Sequence, residues 1–226
     1  MPEPERVRAM FSSIAPRYDL LNRVLSLGID VRWRKRVLAR AGKLAGLRIL
    51  DVCCGTGDLA LEFEKGGARA VGVDFTRPML ELARDKETSV PFLEGDALAL
   101  PAPTDRFDVS TVAFGLRNVA DRHRGLREMA RVVKPGGQVM VLEFSTPKSK
   151  LFASIYRFYF HRVLPKIGGW VSKNPGAYRY LPDSVDHWPN ADELKRDFEA
   201  EGLVDCGYER LTFGIACLHY GRVART

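Results

Sequence analysis

Two acidic residues enclose a glycine-rich turn near position 55. Asp51 precedes the turn and Asp58 follows it, with Gly55 and Gly57 between them. Glycine at such a turn lets the backbone bend sharply and come close to a ligand, where a Cβ would intrude. The run from Gly55 to Ala60 also fits the G-x-G-x-x-G/A pattern of dinucleotide-binding proteins. That pattern is weak on its own, and a tight turn without a ligand is the plain alternative.

The charges around this turn indicate which nucleotide it binds. A pyrophosphate favours neutral or basic surroundings at a helix N-terminus, whereas Asp51 and Asp58 supply negative charge. Acidic flanks suit a ligand with a cationic centre, such as S-adenosylmethionine with its sulfonium and ammonium groups. Asp74, nineteen residues after Gly55, is placed to accept hydrogen bonds from both ribose hydroxyls. Asp96 follows the third predicted strand, where the adenine amino group would lie.

Arg117 and Asn118, a cationic and an amide side chain, directly follow an apolar stretch of the sequence. Burying an unpaired charge is costly, so Arg117 and Asn118 need a reason to be there. Their expected place, just beyond the fourth strand, is where a substrate meets the cofactor in a doubly wound sheet. Tyr18 lies at a break in the N-terminal helical segment, and we expect it to act as a lid or to contact the substrate. Packing is the alternative role for each of the three residues.

The other reactive side chains are interpreted as structural. Cys53 and Cys54 have no adjacent basic partner that would lower the pKa of a thiol, so we expect small apolar fillers. His219 is expected to be a hydrogen-bonded histidine of the sheet, and His123 and His187 to lie in solvated loops. Because the sequence has no C-x-x-C spacing, neither a zinc site nor a redox site is expected, and we predict no metal.

Strands and helices alternate along the chain, and they must position these residues. The alternation predicts βαβ units and a parallel sheet with helices on both faces. The last two strands are joined too tightly for a crossover helix, so they must be antiparallel to each other. We therefore predict an α/β fold: a Rossmann-like, doubly wound, mostly parallel sheet of about seven strands with an antiparallel last strand, N-terminal helices and a helical insert after strand five. The predicted strands cover residues 47–52, 70–73, 90–93, 107–114, 138–144, 204–211 and 213–220.

Size and composition favour one globular domain. The chain has 226 residues, of which 46% are hydrophobic and 28% are charged. No apolar run reaches the roughly 20 residues of a membrane-spanning helix, and the N-terminus has no apolar signal core. We therefore expect a cytoplasmic protein. Within the single domain we predict an N-terminal helical cap (1–42), a cofactor-binding core (43–144), a basic aromatic insert (145–190) and a C-terminal helix with a strand pair (191–226).

The net charge of +7 is concentrated in the insert. Residues 144–182 contain no Asp or Glu but seven Lys or Arg and nine aromatic residues. Such a segment suits a partner that is apolar with an anionic rim. Apolar residues at helical spacing over 151–165 predict an interfacial helix on an anionic membrane surface, peripheral on the inner face of the cell membrane. A core helix that covers the substrate pocket is the alternative.

Several motifs taken together resemble one family of class I S-adenosylmethionine-dependent methyltransferases. This is the demethylmenaquinone and 2-methoxy-6-polyprenyl-1,4-benzoquinol methyltransferase family of quinone biosynthesis. The resemblance covers nearly the whole chain. The Cys53-Cys54 pair looks more like the menaquinone-pathway members. The similar segments are Phe11–Asn22, Asp51–Asp58, Phe114–Asn118, Asn174–Val185 and Leu211–Gly221.

The resemblance implies C-methylation of a polyprenylated quinol, most specifically of demethylmenaquinol to menaquinol, with S-adenosylmethionine as methyl donor. Arg117 is then the expected partner of the quinol oxyanion, directly or through a water, and Asn118 and Tyr18 orient the quinol oxygens. Family members often have Ser where this chain has Ala113, so the backbone is expected to serve there. The predicted cofactor-binding residues are Asp51, Gly55, Thr56, Gly57, Asp74, Asp96, Ala97 and Ala113, of which Thr56 and Ala97 come from the resemblance alone.

Two other functions are kept as alternatives. An NAD-dependent oxidoreductase would fit the glycine pattern, but the chain lacks an evident Tyr-x-x-x-Lys proton-donor pair. An RNA-binding methyltransferase would fit the basic charge, but the cations lie in one aromatic insert and no RNA-binding module is attached, so no nucleic-acid partner is expected. A homodimer is left open.

Overall fold

The computed structural model describes residues 3–147, 158, 162 and 175–225. All strands among them form one sheet. The strands are β1 Arg48–Val52, β2 Arg69–Asp74, β3 Phe92–Glu94, β4 Phe107–Ala113, β5 Val133–Phe144, β6 Leu203–Leu211 and β7 Ala216–Val223. The helices are α1 Pro4–Ile14, α2 Tyr18–Leu25, α3 Ile29–Ala41, α4 Asp58–Lys65, α5 Arg77–Arg84, α6 Arg122–Arg131, α7 Pro175–Asp186 and α8 Ala191–Ala200.

The sheet has the strand order β3-β2-β1-β4-β5-β7-β6. The pairs among β1 to β5 are parallel, and β7 is antiparallel to both of its neighbours. The predicted fold class, with its antiparallel last strand, is therefore confirmed. Strand order reverses at β1, and ligands of such sheets bind at the carboxyl ends of the strands beside this switch point.

The register brings the carboxyl ends of the central strands level with each other. Val52, at the end of β1, pairs with Val73 of β2 and with Val112 of β4. The turns that follow these strands therefore emerge side by side. One consequence is that Asp74 and the Gly55 turn, which are far apart in the sequence, become neighbours.

Side chains of alternating strand positions fill two layers, one on each face of the sheet. On one face, Trp33 of α3 and Phe63 of α4 pack with Ile49 of β1. On the other face, Met129 of α6 and Phe198 of α8 pack in the cluster that contains Leu50 and Val141. This alternation is the period of two expected for a sheet that is covered on both sides.

The structure begins the fifth strand earlier than the predicted residue 138, so that the strand includes residues 134–137. These residues belong to β5, where a bulge lies between the pairs Phe107–Val133 and Val109–Gln138. A Cβ on Gly137 would lie 2.6 Å from the carbonyl oxygen of Asp108, so the bulge requires glycine at this point. The extra residues interrupt the alternation of buried and exposed positions, so the pattern predicted that the strand begins only at residue 138.

The expected solvated loop around His123 is also wrong. α6 begins at Arg122, after Asp121 accepts the backbone N–H of Arg124 at 3.0 Å as a helix cap. His123 therefore lies in the first turn, where its Nδ1 is 2.8 Å from an oxygen of Glu201. Asp is one of the residue types preferred at the N-cap of a helix, so Asp121 is a recognisable signal for a helix that begins at Arg122.

The N-terminal helices cover one end of the sheet. Ile14 and Leu21 pack with Met79 of α5 and Val185 of α7. None of the helices in the described ranges is long and apolar enough to cross a membrane. The division into four sequence segments stays a prediction, and the helix expected over 151–165 lies, apart from residues 158 and 162, outside the described residues.

Candidate active site

An open cleft lies at the carboxyl ends of β1, β2 and β4. Its walls come from the turns after these strands, from the turn after β3, and from α1 and the start of α2. The structure brings together residues that the sequence analysis selected from five separate segments. The predicted site residues in the lining are Tyr18, Gly55, Asp74, Asp96, Ala97, Ala113 and Asn118.

The backbone is strained where two strands enter the cleft. Cys53, after β1, has a φ of 53°, and Phe114, after β4, has a φ of 59°. A left-handed backbone is unfavourable for such residues, and strained positions of this kind recur at active sites and ligand clamps. Gly115 lies against the first of these turns, since a Cβ there would be 2.4 Å from the Cβ of Cys53. Because Gly115 has no side chain, the two turns can pack directly against each other.

The two glycines of the motif have different structural reasons. Gly57 has a φ of 81°, and a Cβ on it would lie 2.6 Å from Cζ of Phe92, so packing alone requires glycine. Gly55 has a φ of 54°, and its missing Cβ would point into the cleft, 3.8 Å from Cε1 of Tyr18. Gly55 therefore keeps the cleft open, whereas Gly57 lies behind its surface.

Asp74 is the buried acid at the centre of the cleft. One of its oxygens accepts the backbone N–H of Gly55 at 2.9 Å, and the other accepts that of Thr76 at 2.7 Å. Burial raises the pKa of this carboxyl, while these backbone hydrogen bonds oppose the rise. Each carboxylate oxygen has a second lone pair. Asp74 is therefore oriented and still able to accept hydroxyl groups from a ligand.

Asp51 carries an unsatisfied oxygen behind the cleft. Its Oδ1 accepts the hydroxyl of Thr111 at 3.1 Å, but its Oδ2 is buried without a hydrogen-bond partner among the described residues. Burial raises the pKa of Asp51 to about 7. A cationic ligand would favour the charged form of this carboxyl, so the orphaned oxygen fits S-adenosylmethionine better than an anionic dinucleotide.

We expect Asp51→Asn to remove a pH dependence from the stability of the ligand-free protein. The folded carboxyl has its pKa raised to about 7, whereas the unfolded one titrates near 4. Its stabilising contribution is thus complete below pH ~4 and is lost as the pH rises through ~7. At pH 8 the variant should melt several degrees above the parent, at roughly 2–4 °C per kcal/mol for this chain length.

Thermal melts of both proteins at pH 5 and pH 8 measure this effect. The melting temperature of the variant should exceed that of the parent by more at pH 8 than at pH 5. At pH 8, S-adenosylmethionine should bind the variant more weakly than it binds the parent. Equal differences in melting temperature at the two pH values would contradict the assignment.

Asp96 and Ala97 form the outer wall of the cleft. Asp96 is exposed, and its Oδ1 accepts the backbone N–H of Leu98 at 2.9 Å, while Ala97 is buried. This turn leaves the second carboxylate oxygen of Asp96 facing accessible space. Its role toward an adenine stays a prediction.

Thr56 is buried beside the glycine turn, but it does not line the cleft. Its hydroxyl donates to Oδ1 of Asp19 at 2.5 Å. The other oxygen of Asp19 lies 2.8 Å from Nζ of Lys86, which also bonds Asp58 at 2.8 Å. These contacts attach the start of α2 to the cofactor turn, directly next to Tyr18.

A double-mutant cycle between Asp19→Ala and Thr56→Val tests this attachment. We expect the two substitutions to be non-additive in the free energy of unfolding by about 1 kcal/mol, the usual value for one hydrogen bond. If Thr56→Val instead weakens S-adenosylmethionine binding with no coupling to Asp19, the hydroxyl serves the cofactor, as the family resemblance implies.

Arg117 is buried and pairs with a carboxylate of β5. Its Nη1 lies 2.9 Å from Oε2 of Glu143, which is itself fully buried, and the same nitrogen donates to the carbonyl of Phe114. Glu143 also accepts the backbone N–H of Arg117 at 3.2 Å. The Nε of Arg117 has no partner among the described residues. Glu143 therefore balances this charge inside the protein, and Arg117 itself is not among the residues that line the cleft.

Two phenols and an amide lie within the field of this guanidinium. The hydroxyl of Tyr180 donates to Oδ1 of Asn118 at 2.9 Å. Burial raises the pKa of Tyr18 and of Tyr180. The positive charge of Arg117 opposes this rise at both phenols, but the effect of burial is larger. Both phenols therefore stay protonated at neutral pH and serve as hydrogen-bond donors.

Sequence reasoning missed two residues of this cluster, Glu143 and Tyr180. The signal for Glu143 was an acid inside the buried run of β5, since such a residue needs a cation. Tyr180 carries no comparable signal, because its partner Asn118 is 62 positions away. The interpretation of the cysteines and of His219 agrees with the structure. Burial raises the thiol pKa of Cys53 and Cys54 well above the ordinary value, and His219 Nε2 bonds the carbonyl of Ala191 at 2.9 Å.

A family model now decides what kind of protein carries this cleft. The model described as the ubiE/COQ5 methyltransferase family matches residues 2–223. The chain belongs to this family. As a member of the ubiE/COQ5 family it is a methyltransferase that uses S-adenosylmethionine, which confirms the prediction of enzyme and cofactor. The alternatives, an NAD-dependent oxidoreductase and an RNA-binding methyltransferase, receive no support.

Individual relatives resemble the chain over nearly its whole length. A demethylmenaquinone methyltransferase of Thermus thermophilus is 53% identical, with 94% of this chain and 99% of that protein covered. A ubiquinone/menaquinone biosynthesis C-methyltransferase UbiE of Geobacter sulfurreducens is 50% identical, with 96% and 88% covered.

Solved structures of lower identity share the fold. A possible histamine N-methyltransferase from Thermotoga maritima has a TM-score of 0.71 at 18% identity, with 95% of this chain and 98% of that chain covered. A Haemonchus contortus phosphoethanolamine N-methyltransferase 2, in complex with S-adenosylhomocysteine, has a TM-score of 0.63 at 16% identity, with 85% and 52% covered. At this level of identity these similarities concern the fold alone.

Proposed function

We propose that this ubiE/COQ5 family member transfers a methyl group to a ring carbon of a polyprenylated quinol and converts demethylmenaquinol to menaquinol. The observation that carries the proposal is the 53% identity, over nearly the full length, to a demethylmenaquinone methyltransferase. The cleft supports it independently, because polar side chains that can hold quinol oxygens lie beside the acids suited to the cofactor.

The proposed cofactor residues divide by position. Asp74 would hold the ribose hydroxyls, and the carboxylate of Asp51, behind the lining of the cleft, would favour a cationic group by its negative charge. Gly55 leaves the space that a Cβ would occupy, and Asp96 with Ala97 closes the outer side. When bound, S-adenosylmethionine supplies an electrophilic methyl group at this end of the sheet.

The chain's own residues would prepare the quinol. A ring carbon attacks only when it is electron-rich, so a phenolic proton must leave and the resulting oxyanion must be stabilised. Asn118 and Tyr18, which line the cleft, would supply hydrogen bonds that fix the ring. Arg117, already paired with Glu143, would act on the oxyanion through its unpartnered Nε–H, directly or through a water. Tyr18 and the buried turns around it also exclude water, which strengthens these interactions.

The decisive experiment is methyl transfer from radiolabelled S-adenosylmethionine to demethylmenaquinol, with a benzoquinol analogue in parallel. The proposal is supported if demethylmenaquinol is converted to labelled menaquinol and the benzoquinol analogue takes up little label. Preferential labelling of the benzoquinol would move the enzyme to the ubiquinone branch, and labelling of neither would refute quinol methylation.

A polyprenyl tail keeps the quinol in a lipid phase. We therefore also propose that the enzyme takes its substrate at an anionic membrane surface.

A further inference from the structure

Helix α2 has two apolar sides, and only one of them is packed. Leu21 is buried in the cluster with Met79. On another side, Leu20 is 57% exposed, Val24 40% and Leu27, just beyond the helix, 80%. Leu20 and Val24 are four positions apart, so they form an exposed row on the helix. Leu27 follows this row in the turn after the helix, where its φ is 52°. Exposed apolar side chains that line up in this way indicate a surface that meets an apolar partner.

A second exposed residue, Phe213, belongs to the same end of the molecule. It lies in the turn between β6 and β7 and is 73% exposed. The indole Nε1 of Trp33 donates to the hydroxyl of Thr212 at 2.8 Å and thereby attaches this turn to α3. α3 begins at Ile29, two residues after Leu27, so the row and the turn are attached to the same helix. The turn lies at the carboxyl edge of the sheet, because β7 begins opposite Phe144, the last residue of β5.

The surrounding charge is positive. Residues 3–42 hold nine Lys or Arg and four Asp or Glu, a net charge of +5. The one acid of α2, Asp19, is engaged by Lys86 and Thr56. Exposed cations flank the row on both sides in the sequence. They are Arg17, Arg23, Arg32 and Lys35.

We infer that Leu20, Val24, Leu27 and Phe213, called here the apolar row, dock on an anionic phospholipid bilayer. Apolar side chains would enter the acyl boundary while the cations lie at the level of the phosphates. The inference rests on the proposed function, since a quinol with a polyprenyl tail is dissolved in such a bilayer. It places the membrane contact on residues separate from the insert.

The same helix connects the bilayer to the cleft. α2 begins at Tyr18, which lines the cleft, and Leu20 is two residues further on. Residues two apart on a helix face different sides, so α2 carries the cleft residue Tyr18 on one side and the exposed row on another.

Sedimentation with vesicles tests the inference. The probes are vesicles of phosphatidylglycerol with phosphatidylcholine, and vesicles of phosphatidylcholine alone. We expect the parent to sediment with the anionic vesicles at low salt, and less so as salt rises. The variant Leu20→Gln/Val24→Gln/Leu27→Gln lacks the apolar anchors. Its partition coefficient between anionic vesicles and solution should therefore be about tenfold or more below that of the parent.

Matched controls separate the row from exposed apolar residues in general. Leu93 and Val204 are about as exposed as Val24 but lie on β3 and β6. The variant Leu93→Gln/Val204→Gln should sediment like the parent, and Arg32→Glu/Lys35→Glu should lose binding to the anionic vesicles. Thermal melts establish that every variant is folded.

Methyl transfer to a short-tailed, water-soluble demethylmenaquinol analogue distinguishes the two proposals. An active row variant that no longer sediments supports the inference. A row variant that sediments like the parent, or a parent that never sediments, overturns it, even if methylation stands. A row variant that loses self-association but keeps vesicle binding would assign the row to a second copy and also overturn it. A parent protein that sediments with the vesicles but does not methylate the quinol analogue would contradict the proposed function and leave the membrane inference standing.

Discussion

Replacing Arg117 with alanine should lower the rate of quinol methylation by about 10²–10³-fold while S-adenosylmethionine still binds. This is the usual cost of removing one group that stabilises a developing oxyanion. The cleft itself is lined by other residues, so the cofactor site should persist. Single-turnover methyl transfer measures the rate, and calorimetry measures the binding.

The buried partner of Arg117 makes the control essential. In Arg117→Ala, Glu143 would be left as an uncompensated buried charge, which is strongly destabilising. The variant Arg117→Met/Glu143→Leu removes both charges and keeps the volume, and such apolar replacements of buried pairs are often tolerated. A folded double variant with the parent's rate would show that the pair is only structural. Arg117→Lys should rescue incompletely, because an ammonium lacks the planar donor fork.

The second large effect is expected at Asp74. Asp74→Ala should weaken S-adenosylmethionine binding by roughly 1.5–3 kcal/mol, the range for hydrogen bonds to a charged group. The reason is its two oriented oxygens, each held by one backbone N–H and each able to accept one more hydrogen bond. Isothermal calorimetry measures the dissociation constant, which should rise by about one to two orders of magnitude.

A nearby acid provides the comparison for Asp74. Asp85, at the end of α5, is exposed and does not line the cleft. Asp85→Ala removes the same charge and should leave the dissociation constant unchanged. An unchanged constant in Asp74→Ala as well would remove Asp74 from the ribose site.

Local patterns were sufficient for the fold. Short apolar strands, turn glycines and helical spacing are read within a few residues, and they predicted the alternating elements and the antiparallel end of the sheet. They also placed Gly55, Asp74 and Asp96 around one cleft, because the carboxyl ends of parallel strands meet at one edge.

Contacts between distant residues could not be predicted in the same way. The expectation for Arg117 came from the cost of burying a charge, but its partner, Glu143, is 26 residues away. Thr56 was assigned to the cofactor by resemblance, whereas its hydroxyl bonds Asp19, 37 residues earlier. Such pairs depend on how elements pack together, and no periodicity within one element encodes them.

The position of β7 between β5 and β6 has a consequence for the order in which the protein matures during translation. β7 is synthesised after β6 but occupies an interior place in the sheet, whereas β6 occupies the edge. Until residues 216–223 emerge, β5 has no partner on its outer side and β6 has nothing to pair with in the sheet. A nascent chain thus exposes an unpaired strand edge, the kind of surface that invites aggregation. For the same reason, a stop codon just before β7 would cost the sheet two strands rather than one.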